Sequence, residues 1–281
     1  MAAVPGIVEY YNQTHLGYRL FWGLGRAHSM HYGLHDAAHT RHVDAVLNLI
    51  RHMAATVDIG AADHVLDVGC GFGGGSLWLV AHRNCRVTGI DINPREIAFA
   101  QAEAQRSGVA DRVRFIEMDY TTMDRLEREA FSVVYQVETL IYADRRQFAR
   151  DAFARLRPGG RLIVADYFAS PAALPPADQQ ILDRWVRGWA GIDLITADAF
   201  TADLAEAGFA DVQVEDVSPQ VMPSSRRMAL VCRLTAPLGR ALEVVGMRNR
   251  LQTENSIGAV LQYEALQRGL WVYGIVAARK P

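Results

Sequence analysis

The segment Asp67-Val68-Gly69-Cys70-Gly71-Phe72-Gly73-Gly74-Gly75 follows a short apolar run and precedes a helical stretch. Glycine has no Cβ, so the backbone can turn tightly here and a ligand can approach main-chain atoms closely. A glycine turn between a strand and a helix is the opening unit of a parallel α/β sheet, which leaves the chain few other architectures.

The rest of the middle region keeps that alternation. His64–Gly69 predicts a first strand and Gly74–Arg83 a helix. Arg86–Ile92 predicts a second strand, followed by a helix that Pro94 opens, that runs to Ser107 and that Gly108 stops. Val113–Met118 and Phe131–Val137 read as third and fourth strands, and Asp144–Leu156 as an amphipathic helix. Pro158-Gly159-Gly160 is expected to break the chain before a fifth strand, Arg161–Tyr167. Thr196–Ala207 reads as a helix, Asp211–Val217 as a sixth strand and Leu270–Ala278 as a seventh. A doubly wound α/β core over residues 61–218 and 270–281 follows. Residues 1–60 are expected to form a mostly helical covering segment, and 219–269 an inserted cap.

The 281 residues suit one large α/β domain, and with half of them hydrophobic and 21% charged the chain can bury a sizeable core. A net charge of −2 gives no global field for nucleic acid or an anionic membrane, so a small-molecule substrate is expected. Cys70, Cys85 and Cys232 are too few and too scattered for a disulfide framework, and neither a signal peptide nor a membrane span is visible. A cytoplasmic protein is the expectation.

Gly69, Gly71 and Gly74 also satisfy the dinucleotide fingerprint, so the turn alone does not choose its ligand. Three acids do. Asp67 stands at the end of the first strand, where a carboxylate would repel a pyrophosphate but suits a positively charged methionine end. Asp91 ends the second strand, placed to accept from ribose hydroxyls, and Asp119 follows the third, placed for an adenine amino group. S-adenosylmethionine fits this array. A nicotinamide enzyme and a noncatalytic nucleotide binder are the alternatives.

The array DVGCGFGG, GIDIN, EMDY and LRPGGRLIVAD resembles the class I S-adenosylmethionine-dependent methyltransferases over roughly residues 60 to 218. The resemblance implies a Rossmann-like, seven-stranded sheet with an antiparallel last strand. It places cofactor contacts on Asp67, Gly69, Gly71, Gly73, Asp91, Ile92, Asp119, Tyr120 and Gln136. Glu9–Asn12, Phe21-Trp22-Gly23 and His31-Tyr32-Gly33 look like the leader of the sterol, tocopherol and geranyl diphosphate C-methyltransferase group. In that group the leader folds over the cofactor, which implies contacts from Tyr11 and Trp22. The match extends to Glu138-Thr139-Leu140-Ile141-Tyr142 and to a tyrosine-bearing final strand.

Methylating an alkene leaves a carbocation, so such a site needs π faces or carboxylates and finally a base. Glu138 interrupts the apolar run VVYQVETLIY just past the fourth strand and is expected to be partly buried. The resemblance makes it the base and gives Tyr32 a part in orienting Glu138 or the substrate. Tyr142, Tyr167, Trp185 and Trp189 are expected to line the acceptor pocket. The leading expectation is C-methylation of an isoprenoid or prenylated lipophilic molecule, with Mg2+ involved only if that molecule carries a diphosphate. Arg226, Arg227 and Arg233 could meet such a group, or form a solvated face. An O- or N-methyltransferase would favour a histidine base, and no histidine follows the fourth or fifth strand. A noncatalytic S-adenosylmethionine-binding protein is the third possibility. His28, His31, His35, His39 and His42 cluster, three of them at helical spacing, but no partner completes a metal site. A homo-oligomer is compatible with all of this.

Overall fold

The computed structural model describes residues 8–9, 27–191 and 193–281. Its seven strands form one sheet in the order β3-β2-β1-β4-β5-β7-β6. The strands are β1 (His64–Val68), β2 (Arg86–Asp91), β3 (Val113–Glu117), β4 (Phe131–Val137), β5 (Leu156–Ala169), β6 (Ala210–Asp216) and β7 (Trp271–Arg279). The first five run parallel, and β7 pairs antiparallel with both β5 and β6. The order reverses between β1 and β4, and the crevice at such a switch point, beyond the carboxyl ends of the strands, is where open α/β sheets bind ligands.

Alternate residues of the central strands feed two cores. Val65, Val87, Val133 and Ile163 face one layer, and Leu66, Val134, Leu162 and Val164 the other. Helices cover both faces: α1 (His42–Thr56), α2 (Gly74–Arg83), α3 (Pro94–Arg106), α4 (Arg145–Arg155), α5 (Pro176–Gly188) and α6 (Ala197–Ala207). Their ends follow local signals. Asn93 caps α3 by accepting from the Arg95 amide at 3.1 Å, with Pro94 at the first helical position. Asp144 caps α4 and Thr196 caps α6 in the same way.

Three local expectations are corrected. Pro158-Gly159-Gly160 does not precede the fifth strand but bulges within it: pairing with β4 jumps from Phe131↔Leu156 to Val133↔Arg161. Residues 28–41 are not helical, so His35 and His39 share no helical face with His42. His35 Nε2 and His42 Nδ1 instead meet the Ser224 hydroxyl at 3.0 and 3.2 Å. Among the described residues, no group of three or more metal-ligating side chains comes together. Finally, α5 occupies a stretch for which the sequence reading assigns no element.

Between β6 and β7 lie two helices, α7 (Ser218–Val244) and α8 (Arg250–Gln267). The second packs on the first and on α5. Gly188 and Gly258 permit the close approach, because a Cβ at Gly188 would lie 2.8 Å from the Glu254 carbonyl oxygen. No helix among the described residues is long and apolar enough to cross a membrane.

Gly73 is a packing position. Its φ is +81°, and a Cβ there would meet Phe115 Cζ at 2.8 Å and Ala100 Cβ at 2.9 Å. Gly73→Ala is predicted to cost about 2–4 kcal/mol, from left-handed strain plus overpacking. Urea unfolding of the cofactor-free protein measures it; a change under about 0.5 kcal/mol would show that the turn relaxes freely.

Candidate active site

One cavity opens at the carboxyl edge of β1, β2 and β4. Its floor is the glycine turn. The Gly69 and Cys70 amides donate to the Ile90 carbonyl at 2.9 and 3.0 Å, which ties the turn to β2. Gly69 has φ +74°, and a Cβ there would lie 2.4 Å from Thr139 Cγ2, so glycine lets the loop after β4 cross directly over the turn.

Asp91 is set by two amides. Gly71 N–H donates to Oδ2 at 2.9 Å and Asn93 N–H to Oδ1 at 2.8 Å. A carboxylate has about four lone-pair sites, so roughly two stay available to ligand hydroxyls. Asp119 starts a 3-10 turn (Tyr120–Arg125), accepting from the Thr121 amide at 2.8 Å. Buried Asp67 accepts from the Ser76 hydroxyl at 2.6 Å.

Glu138 sits at the far wall with φ +54°, a conformation uncommon for a residue with a Cβ. The Tyr32 amide donates to its Oε1 at 2.7 Å and the Tyr273 hydroxyl to the same oxygen at 2.8 Å. The Tyr167 hydroxyl donates to Oε2. Burial nevertheless outweighs these donors and pushes the Glu138 carboxyl up to about 8. Asp67 is pushed up to about 7, first by burial and then by the Asp91 charge. Burial also raises Asp91, and burial with the Asp91 charge raises Glu96 well above the usual carboxylate range.

The cavity thus gathers acids whose charged forms are desolvated and mutually repelled. A cationic ligand relieves both costs, whereas a pyrophosphate would worsen them. The residues present fit S-adenosylmethionine, with its sulfonium and ammonium charges, and not a dinucleotide.

Most of the expected residues converge here: Asp67, Gly69, Gly71, Asp91, Ile92, Asp119, Tyr120, Glu138 and Tyr142 all line the cavity. Several do not. Gly73 packs against Phe115 and Ala100 beneath the turn. Gln136 lies behind the wall, its amide donating to Thr139 Oγ1 at 2.8 Å and to Asp166 Oδ2 at 2.9 Å. Tyr32, Tyr167, Trp185 and Trp189 are buried in one aromatic cluster with Trp271 and Tyr273, behind Glu138 rather than along the cavity. Arg226, Arg227 and Arg233 are exposed on α7 and do not line it either. Tyr11 and Trp22 lie outside the described residues.

Other lining residues escape the sequence reading. Glu96 is one, its Oε1 accepting from Asn93 Nδ2 at 2.9 Å. The signal was present as Asn93-Pro94-Arg95-Glu96, a helix-start pattern that reads as capping alone. His28, Ser29, Met30 and His31 also line the cavity. This stretch crosses the glycine turn closely: the Gly74 amide donates to the His28 carbonyl at 3.1 Å, and a Cβ on Gly74 would lie 2.1 Å from Ser29 Oγ.

The sheet order, the antiparallel seventh strand and a cation-seeking cavity beyond the glycine turn define the nucleoside-binding fold of the class I methyltransferases. Residues 65–160 match the methyltransferase domain family. The chain is 30% identical to the 27-O-demethylrifamycin SV methyltransferase of Amycolatopsis mediterranei, over 74% of this chain and 75% of that one. It spans 35% of the length of a phosphoethanolamine N-methyltransferase of Arabidopsis thaliana that it also matches. In fold it superposes on the [4+2]-cyclase SpnF with a TM-score of 0.81 at 23% identity, covering 100% of this chain and 97% of that one. It superposes on a geranyl diphosphate C-methyltransferase from Streptomyces coelicolor A3(2) with a TM-score of 0.74 at 17% identity, covering 100% of both. The chain belongs to the class I S-adenosylmethionine-dependent methyltransferases, and S-adenosylmethionine is its cofactor.

Asp91→Ala is predicted to weaken S-adenosylmethionine binding by about 1.5–3 kcal/mol, the range for a hydrogen bond to a charged group. Titration calorimetry on a variant with native thermal unfolding measures it. Unchanged affinity would remove Asp91 from the ribose site.

Proposed function

We propose that the chain methylates a carbon of an isoprenoid or prenylated small molecule, with Glu138 as the group that stabilises the resulting cation and takes its proton. The observation that carries this reading is the setting of Glu138: a carboxyl at the cavity wall, fixed by two tyrosine hydroxyls and a backbone amide. Asp67, Asp91 and Asp119 would hold the cofactor through its cationic end, ribose and base. Tyr32 would act as a positioning residue, through its amide.

Bound beyond the glycine turn, S-adenosylmethionine supplies an electrophilic methyl group. The acceptor's alkene electron pair would form the new carbon–carbon bond as the methyl–sulfur bond breaks and its electron pair goes to sulfur, leaving a positive charge on the neighbouring carbon of the acceptor. Glu138 acts in its carboxylate form, which is present above its raised pKa of about 8 and which a neighbouring positive charge favours. It then accepts a proton, and the C–H electron pair restores the alkene. The tyrosine hydroxyls keep the carboxylate oriented, and the packed aromatic cluster behind it keeps water from that side. Among the described residues no arginine or lysine lines the cavity, which disfavours a diphosphate head there and, with it, a role for Mg2+.

A second reading, O-methylation, is favoured by His31. Its Nδ1 lies 2.8 Å from the Tyr32 carbonyl oxygen, which only an N–H can pair with, so Nε2 carries the lone pair. Nε2 is buried at the cavity without a protein partner, and burial lowers the ring's pKa to about 4, so it stays neutral. This histidine comes from the N-terminal side of the chain and not from the loops after β4 or β5. The 30% identical relative is named for a 27-O-demethylated acceptor.

Two variants separate the readings. Under C-methylation, Glu138→Gln lowers turnover by about 10²–10⁴-fold, the range for a lost acid–base group, while cofactor affinity holds. The wild-type kcat/KM then rises with pH through a midpoint near 8, because a base works only when deprotonated. Under O-methylation, His31→Asn causes the large loss and Glu138→Gln stays near wild type. Near-normal turnover in Glu138→Gln would end the carbocation proposal.

A further inference from the structure

Among the described residues eight large hydrophobic side chains are exposed, and six of them lie on one hairpin, α7 and the turn into α8. Leu230, Leu234 and Leu238 stand four apart on α7, so they form one stripe along the helix. Leu234 is 72% exposed and Leu238 63%. The stripe continues from Val244 at the end of α7, 86% exposed, into the turn, where Val245 is 66% and Met247 76% exposed. Apolar groups scattered singly need no explanation, but a contiguous exposed group of this kind marks a contact surface.

The charge around the stripe is one-sided. The charged residues of α7 are Arg226, Arg227, Arg233, Arg240 and Glu243, and the four arginines are exposed. The one acid is half-buried and accepts from Thr253 Oγ1 at 2.7 Å. Exposed Arg250 opens α8, while Arg248 in the turn is half-buried and donates to the Gln252 carbonyl and the Ser256 hydroxyl. The net charge of −2 for the whole chain therefore hides a cationic, apolar tip.

We propose that this hairpin is a docking surface for a lipid bilayer bearing anionic headgroups. An apolar stripe rimmed by arginines lies well at a membrane interface: the apolar side chains enter the acyl boundary and the guanidinium groups stay among the phosphates. A second copy of the chain is the poorer occupant. A two-fold contact through this face would set arginine against arginine around the apolar centre. Nucleic acid would use the arginines but leave the leucines and Met247 in water. The proposal goes beyond the reading of the active site and holds whichever atom is methylated.

Flotation of the full-length protein tests it, with vesicles of phosphatidylcholine alone and of phosphatidylcholine with phosphatidylglycerol. The wild type is expected to float with the anionic vesicles, at least about tenfold more than with neutral ones at low salt. The triple variant Leu234→Glu, Leu238→Glu and Met247→Glu is expected to lose about tenfold or more of that binding. Because all three side chains are exposed, its thermal unfolding and its binding of S-adenosylmethionine should match wild type. Arg226→Gln, Arg233→Gln and Arg240→Gln together should erase the preference for anionic lipid. Absence of flotation, binding retained in the glutamate variant, or a wild-type dimer in light scattering that the glutamate variant breaks would each overturn the proposal.

Discussion

The half-buried carboxyl of Glu138 is the constraint from which the rest of the site can be read. Moving a carboxylate out of water is costly unless donors replace the lost hydration; here three donors replace part of it, and burial still pushes the carboxyl up to about 8. They come from three parts of the chain: the N-terminal segment through Tyr32, β5 through Tyr167 and β7 through Tyr273. The two hydroxyls arrive together because β7 runs antiparallel to β5 with Tyr273 directly opposite Tyr167. Directly opposed residues of a ladder point to the same face. The reversed last strand is therefore also what delivers the second hydroxyl to the cavity wall.

The same logic holds at the cofactor end, with backbone in place of side chains. Asp91 takes its donors from Gly71 and Asn93, two amides left unpaired where strands end and turns begin. The glycine turn can offer Gly71 only because Thr139 is allowed to pack against Gly69. Residue type in the turn, strand order and the position of an acid are thus one arrangement. Asp166 shows how deep it runs: fully buried behind Glu138, it accepts from Gln136, the Leu140 amide and the Tyr167 amide, and so shapes the loop that carries Glu138.

The alternation of strand and helix was legible because each segment buries a periodic apolar face and ends in a strong local signal, such as Asn93-Pro94 or Gly108. Asp67, Asp91 and Asp119 were legible at the cavity for a related reason: their positions depend on where a strand stops, and strand ends can be read. Distances across the sheet cannot. Tyr273 lies 135 residues from Glu138, and only the β5–β7 register joins them. The aromatic residues were misplaced for the same reason. Tyr167, Trp185 and Trp189 look alike in sequence whether they line a cavity or pack on one another, and here they pack. The Pro-Gly-Gly bulge misled in the opposite direction, since a break signal inside a paired strand reads as its beginning.

The N-terminal segment shows why covering pieces resist sequence reading yet matter to the chemistry. Consecutive amides serve different masters: Tyr32 N–H binds Glu138 at 2.7 Å, and Gly33 N–H binds the Ser224 hydroxyl of α7 at 3.0 Å. Ser224 is also the point where His35 and His42 converge. The chain can pass this closely because Gly33 has no Cβ; one placed there would lie 2.7 Å from Ala45 Cβ. Glycine in His31-Tyr32-Gly33 is therefore a packing requirement, and His35 and His42 beyond it anchor the segment to α7. Through two adjacent hydrogen bonds, the helix that bears the exposed arginine-rimmed stripe and the carboxyl at the cavity wall are held in one register.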